Sequence, residues 1–199
     1  MPKNNKHPKT FIITGGATGI GYAIAEAAVA RGDNVLLNGR TESKLRHAAQ
    51  QLNAPSQVAI LAGDITDARN AEPLVTEAVA RFGRVDVLIN NAGIFESKPF
   101  TDYAVDELDN YLGYLRGTFV LSQSAVRQFR EQGDGGAIIN ISTILALNGV
   151  SGVPSSAPIA AKGGITALTK NLSMELAADN IRINAVAPGI VPTPLYGEL

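Results

Sequence analysis

The segment Thr14-Gly15-Gly16-Ala17-Thr18-Gly19-Ile20-Gly21 is the stretch whose residue types most clearly serve a ligand. It follows the apolar run Thr10-Phe11-Ile12-Ile13 and opens an amphipathic segment, so its glycines fall at a strand-to-helix turn. Gly15 permits the tight turn. Gly19 lets the backbone approach a pyrophosphate, and Gly21 lets helix and strand pack closely. The helix N-terminus adds free N–H groups and a partial positive charge. Ala17, Thr18 and Ile20 complete the loop, and the chemistry expected of it is dinucleotide binding.

The end of the second strand bears on which dinucleotide. An NAD site usually carries a carboxylate there, to accept from the ribose 2′-hydroxyl, and that charge would repel a 2′-phosphate. This chain has Asn38-Gly39-Arg40, a vacant acidic position followed by an arginine. A guanidinium forks onto phosphate oxygens through charge-assisted hydrogen bonds, so NADP(H) is the expected cofactor.

Other chemistries are poorly supplied. The 199 residues include no cysteine, which excludes disulfides, thiolate metal sites and a cysteine nucleophile. The two histidines fall in a polar tail (His7) and on the surface of a helix (His47), where solvent is the expected partner. Seventeen Lys and Arg against eighteen Asp and Glu give a formal charge of −1, without the basic excess of a nucleic-acid domain. The start of the chain is polar and lacks the apolar stretch of a signal peptide, and no apolar run approaches the ~20 residues of a membrane span. A soluble cytoplasmic protein is the expectation.

The elements that must position these residues alternate strictly. Strands are expected at Thr10–Ile13, Asn34–Leu37, Val58–Leu61, Val85–Ile89, Ala137–Ile141 and Ile181–Val186. Helices are expected at Gly19–Arg31, Thr41–Leu52, Asp67–Phe82, Val105–Arg130 and Ala157–Ala178. Strands apolar on both faces are buried on both faces, so the fold class is α/β. It is a doubly wound parallel sheet in three α/β/α layers, with ligands at the carboxyl ends of the strands. Ser155 or Ser156 can cap the last helix, and Pro158 then falls in its first turn, where a missing N–H costs little.

With these motifs in place the chain resembles the short-chain dehydrogenase/reductase family, a Rossmann-like group. The glycine spacing matches, as do Asn90-Asn91-Ala92-Gly93 after strand four and Pro188-Gly189-Ile190 with Thr193 after strand six. Asp64, followed by Ile65, matches the acidic residue beside the adenine. The resemblance runs from about Thr10 to Thr193. It implies a single NADP(H)-binding domain, hydride transfer between nicotinamide and a small-molecule carbonyl or alcohol, and a homodimer or homotetramer built on the two long helices. It also implies a catalytic set in which a tyrosine moves the proton, a lysine four residues later lowers its pKa and binds the nicotinamide ribose, a serine polarises the carbonyl, and an asparagine in the long helix anchors a water.

Here the chain departs from the pattern. Lys162 fits the lysine position, but Pro158 stands where the tyrosine belongs and carries no ionisable proton. Thr143 takes the serine position, with Ser142 as an alternative, and Tyr114 takes that of the asparagine. Family members also continue past the second proline-glycine motif with a substrate lid and a seventh strand, whereas this sequence stops at Leu199. Either it is a piece of a longer protein or it lacks both. Two functional expectations follow. One is an oxidoreductase with a degenerate site whose proton comes from Tyr114, Thr143, Ser155, Ser156 or a water on Lys162. The other is a non-catalytic NADP(H)-binding protein, a sensor or a partner subunit.

Overall fold

The computed structural model describes residues 7–193. Six strands form one parallel sheet: β1 (Thr10–Thr14), β2 (Asn34–Gly39), β3 (Val58–Ala62), β4 (Val87–Asn90), β5 (Gly136–Ile141) and β6 (Ile181–Val186). Their order across the sheet is β3-β2-β1-β4-β5-β6. Five helices connect them: α1 (Gly19–Ala30), α2 (Glu42–Leu52), α3 (Ala71–Phe82), α4 (Val105–Gln132) and α5 (Ser156–Glu175).

The two-residue period of the strands sorts the core into two layers. Phe11, Ile13, Val35, Leu37, Val87 and Ile89 pack with Ala25 and Ala28 of α1 and with Leu45 and Ala48 of α2. Ile12, Leu36, Leu88 and Ile138 face the other way, onto Leu74 and Ala78 of α3 and Leu121 and Phe129 of α4. Strands β1, β2, β4 and β5 are apolar on both faces because both are covered, as a parallel sheet requires, while β6 at the edge leaves Arg182 and Asn184 exposed.

The chain winds outward from β1 to β3 and then returns to lay β4 on the other side of β1, with Ile12 opposite Leu88. The loops after β1 and β4 therefore diverge to opposite faces and leave a crevice between them. Gly15 and Asn91 meet in it: Asn91 Nδ2 donates to Gly15 O at 3.1 Å.

Several element ends differ from the sequence expectation. The third helix does not begin at Asp67. That carboxylate accepts from Arg69 N and caps a 3-10 turn at Ala68–Asn70, and α3 follows at Ala71 with Pro73 in its first turn. Strand four begins at Val87, because the Val85 amide donates to the Gln132 side chain. The last helix stops at Glu175 and is followed by a 3-10 turn at Ala177–Asp179. Ser155 takes the N-cap position of α5, but its hydroxyl donates to Val153 O and caps nothing. Pro158 falls in the first turn of α5, as its sequence position predicts. Among the described residues no helix is long and apolar enough to cross a membrane, and no cluster of His, Cys, Asp or Glu could hold a metal ion.

Candidate active site

Local chemistry builds the phosphate loop. Gly15 and Gly19 both take left-handed φ values, +62° and +56°, which favour glycine over any other residue. Gly21 is required for a different reason: a Cβ there would lie 2.2 Å from the Gly15 carbonyl oxygen, so the first turn of α1 can close on the loop only without a side chain. Thr14 ties this loop to the one after β4. Its hydroxyl donates to Ile89 O and accepts from Asn91 N and Ala92 N, both at 3.0 Å. Asn91 returns the link with its side-chain amide, to Thr14 O and Gly15 O. The asparagine that the sequence offers as a ligand residue is thus spent on holding two loops together. Thr14 is its partner, a role visible only once the two loops are adjacent.

Two hollows open on this crevice and meet at Gly93. The first is lined by Gly15, Ala17, Thr18, Arg40, Asp64, Ile65, Ala92 and Tyr114. It also takes in Thr41 and Lys44, which sequence reasoning missed; the available signal was their position at the start of a helix, within a turn of Arg40. Arg40 and Lys44 are exposed and form no ion pair among the described residues. Asn38, at the end of β2, is buried, its amide donating to Leu61 O and Gly63 O, so it stiffens the edge of the hollow. Asp64 accepts from the Thr66 amide and hydroxyl, a turn-capping role, while lining the hollow.

The second hollow is lined by Ile20, Asn91, Ile94, Phe95, Ser142, Thr143, Pro158, Ile159, Lys162, Pro188, Gly189, Val191 and Thr193. Ile190 is 78% exposed and lines neither hollow. Gly19 lies under Thr193: a Cβ on Gly19 would be 3.1 Å from Thr193 Cβ. Lys162 Nζ donates to Ile141 O at 2.6 Å, and burial lowers its pKa from 10.5 to about 8. Thr143 Oγ1 accepts from Leu145 N at 3.3 Å. Ser142 also lines this hollow, its hydroxyl sharing a 2.8 Å hydrogen bond with Thr166 and contacting Lys162 O.

Tyr114 and Lys162 line different hollows, which meet at Gly93. Tyr114 lines the first hollow, with its phenol pKa raised mainly by burial, lowered by Arg40 and raised by Asp64. Gly113 and Gly117 explain its place: a Cβ at Gly117 would lie 2.1 Å from Ile65 O, so α4 presses directly on the loop after β3 and delivers Tyr114 to that side.

The chain is similar to several known proteins. A 3alpha-hydroxysteroid dehydrogenase of Mediterraneibacter gnavus is 35% identical over 198 residues, covering 96% of this chain and 77% of that protein. A trans-4-hydroxycyclohexanecarboxylate dehydrogenase of Sinomonas cyclohexanicum is 38% identical over 199 residues, covering 96% and 75%. Among solved structures, a short-chain type dehydrogenase/reductase from Mycobacterium marinum superposes with a TM-score of 0.90 at 27% identity, over 95% of this chain and 75% of that one. Residues 9–199 match the short chain dehydrogenase family. The chain belongs to that family of nicotinamide-dependent oxidoreductases.

Proposed function

We propose that this protein is an NADP(H)-dependent oxidoreductase acting on a small carbonyl or alcohol, with a proton-transfer site weakened by Pro158. The observation that carries the reading is the first hollow, where Arg40, Thr41 and Lys44 converge at the end of β2 with no carboxylate on that strand end. Two cations beside the N-terminus of α2, unpaired among the described residues, suit a 2′-phosphate, and β2 ends without the carboxylate that would accept from a bare 2′-hydroxyl. The residues present also fit the rest of the nucleotide. Gly15 to Ile20 offer a backbone cradle, Asp64 and Ile65 flank the adenine side, and Lys162 and Thr193 reach the nicotinamide side. When bound, NADPH would supply a hydride to the substrate carbon.

The chain's own residues then have separable tasks. Arg40 and Lys44 hold the phosphate that distinguishes the cofactor. Ile94, Phe95, Ile159 and Val191 exclude water and favour an apolar substrate body. Thr143 offers a hydroxyl to the carbonyl oxygen. Pro158 is buried in the wall where the family's tyrosine would stand, and gives and takes no proton. General acid–base assistance is commonly worth ~10²–10⁴-fold, so turnover is expected to be slow beside that of relatives with the tyrosine. The same proline favours the second reading, a protein that binds NADP(H) without turning it over.

Calorimetric titration with NADPH and NADH tests the cofactor assignment. Arg40→Ala is expected to weaken NADPH by ~1.5–3 kcal/mol, the worth of a charge-assisted hydrogen bond, and to leave NADH unchanged. Equal wild-type affinities would overturn the assignment. NADPH oxidation against a panel of ketones, aldehydes and quinones separates the two readings: binding without oxidation of any of them selects the non-catalytic one.

A further inference from the structure

Among the described residues, the second hollow contains one titratable side chain, Lys162. Among the described residues, most other hydroxyls that could move a proton are occupied or elsewhere. Ser142 bonds to Thr166, Ser155 donates to Val153 O, and Ser156 is exposed and outside the hollow. Tyr114 lies in the first hollow, Tyr103 donates to Glu96 O, and Tyr111 packs against Ala157 and Ala161 behind α5. Thr143 lines the hollow but is too weak an acid to cycle a proton alone.

We propose, on the reading of the protein as an oxidoreductase, that Lys162 is itself the proton-transfer residue, its ammonium giving a proton directly to the oxygen of the bound carbonyl. Geometry prepares it for this. One N–H of Nζ is fixed on Ile141 O at 2.6 Å, which anchors the group. Among the described residues no carboxylate pairs with it, so the remaining N–H bonds are uncommitted. Pro158, one helical turn earlier, lines the same hollow without a polar side-chain atom, so no side chain at that position competes for the carbonyl oxygen. Nζ also sits against the turn after β4, 3.3 Å from where a Cβ on Gly93 would be.

The step balances. In reduction the carbonyl carbon gains a hydride from the reduced nicotinamide nucleotide and the C=O π pair moves to oxygen. One N–H bond of Lys162 breaks as the O–H bond forms. The products are the alcohol, the oxidised nucleotide and a neutral amine, which solvent reprotonates. In oxidation the neutral amine accepts the hydroxyl proton. Burial, which holds this lysine near pH 8, keeps both forms within reach at ordinary pH. Among the described residues, Asn91, Phe95, Ser142, Thr143 and Thr193 line the hollow with it from other elements, and none of them titrates in this range.

The test joins a titration with kinetics. In the nucleotide-free protein, NMR of labelled lysine side chains, with Lys162 assigned by its loss in Lys162→Arg, is expected to show a midpoint near pH 8. A midpoint near 10.5 would overturn the proposal. The reduction rate kcat is expected to fall above that same midpoint, and the oxidation rate to rise through it. Lys162→Arg keeps a cation for the ribose but cannot deprotonate; it should bind NADPH within a few-fold of wild type, lose ~10²-fold or more in kcat, and lose the inflection. Unchanged turnover in Lys162→Arg, or an inflection unrelated to the NMR midpoint, rejects the role. Wild-type protein that binds NADPH and reduces no carbonyl rejects the oxidoreductase reading beneath it, as does failure to bind NADPH. Should Lys162→Arg not fold, agreement or disagreement of the two wild-type midpoints decides.

Discussion

Lys162 is a buried cation without a counter-charge among the described residues, and that has a consequence for stability as well as for chemistry. Its pKa in the folded protein, about 8, lies below the 10.5 of the unfolded chain. Between those values the unfolded state holds more protons, so stability rises with pH. The burial penalty is fully present below pH 8 and relieved as pH climbs toward 10.5. At about 1.4 kcal/mol per unit, wild type should gain up to about 3 kcal/mol on Lys162→Met across that window, and nothing below it. Urea unfolding of both proteins at pH 7, 8 and 9.5 measures the difference. At this scale the sequence was legible wherever a residue acts through its own backbone or charge. Gly15, Gly19 and Arg40 are such cases, since left-handed φ and a free guanidinium follow from residue type and position. Tyr114 was not, because its destination depends on how closely α4 approaches a loop nearly fifty residues earlier. Lys44 was missed because its value lies in sharing the start of α2 with Arg40.

At the scale of elements, the approach of α4 to the loop after β3 is the contact that shapes the nucleotide hollow. Gly117 makes it: an added Cβ would meet the Ile65 carbonyl at 2.1 Å. Overpacking against backbone has no flexible neighbour to yield, so Gly117→Ala should cost at least about 3 kcal/mol, the upper end of the usual range. It should also weaken nucleotide binding, because Asp64 and Ile65 must shift. Gly163 in α5 is the control, with nothing within 4 Å of its would-be Cβ. There alanine should add up to about 1 kcal/mol, through helix propensity alone. Chemical denaturation of the two variants checks the contrast, and equal effects would refute it. Element order and the parallel sheet were readable from the alternation of apolar runs and amphipathic stretches. The start of α3 was not, because Asp67 serves a short 3-10 turn just ahead of the helix, a choice made by one local hydrogen bond.

At the scale of the whole molecule, α4 and α5 carry apolar surface that the fold leaves uncovered. Phe119 is 44% exposed and Met174 is 81% exposed. A groove between the two helices is lined by Phe119, Val126, Leu168 and Leu172, with Arg127 and Glu175 also lining it. Self-association over this face is the proposed assembly. Sedimentation at micromolar concentration should show a dimer or tetramer, and Phe119→Glu should dissociate it by placing a charge in the contact. A wild-type monomer under those conditions would contradict the proposal.

Thr193 resting on Gly19 joins the segment after β6 to the phosphate loop, more than 170 positions apart in sequence. The residues between them make up nearly the entire sheet. A ligand seated in the second hollow would touch Ile20 on one side and Pro188, Gly189 and Val191 on the other, and so behave as a removable clasp on a very long loop. Clasping of this kind stabilises by RT ln(1 + [L]/Kd), and it acts first on openings that release the segment after β6. Nucleotide supply would then set how readily proteases trim this protein, and its lifetime would follow the abundance of the molecule it binds.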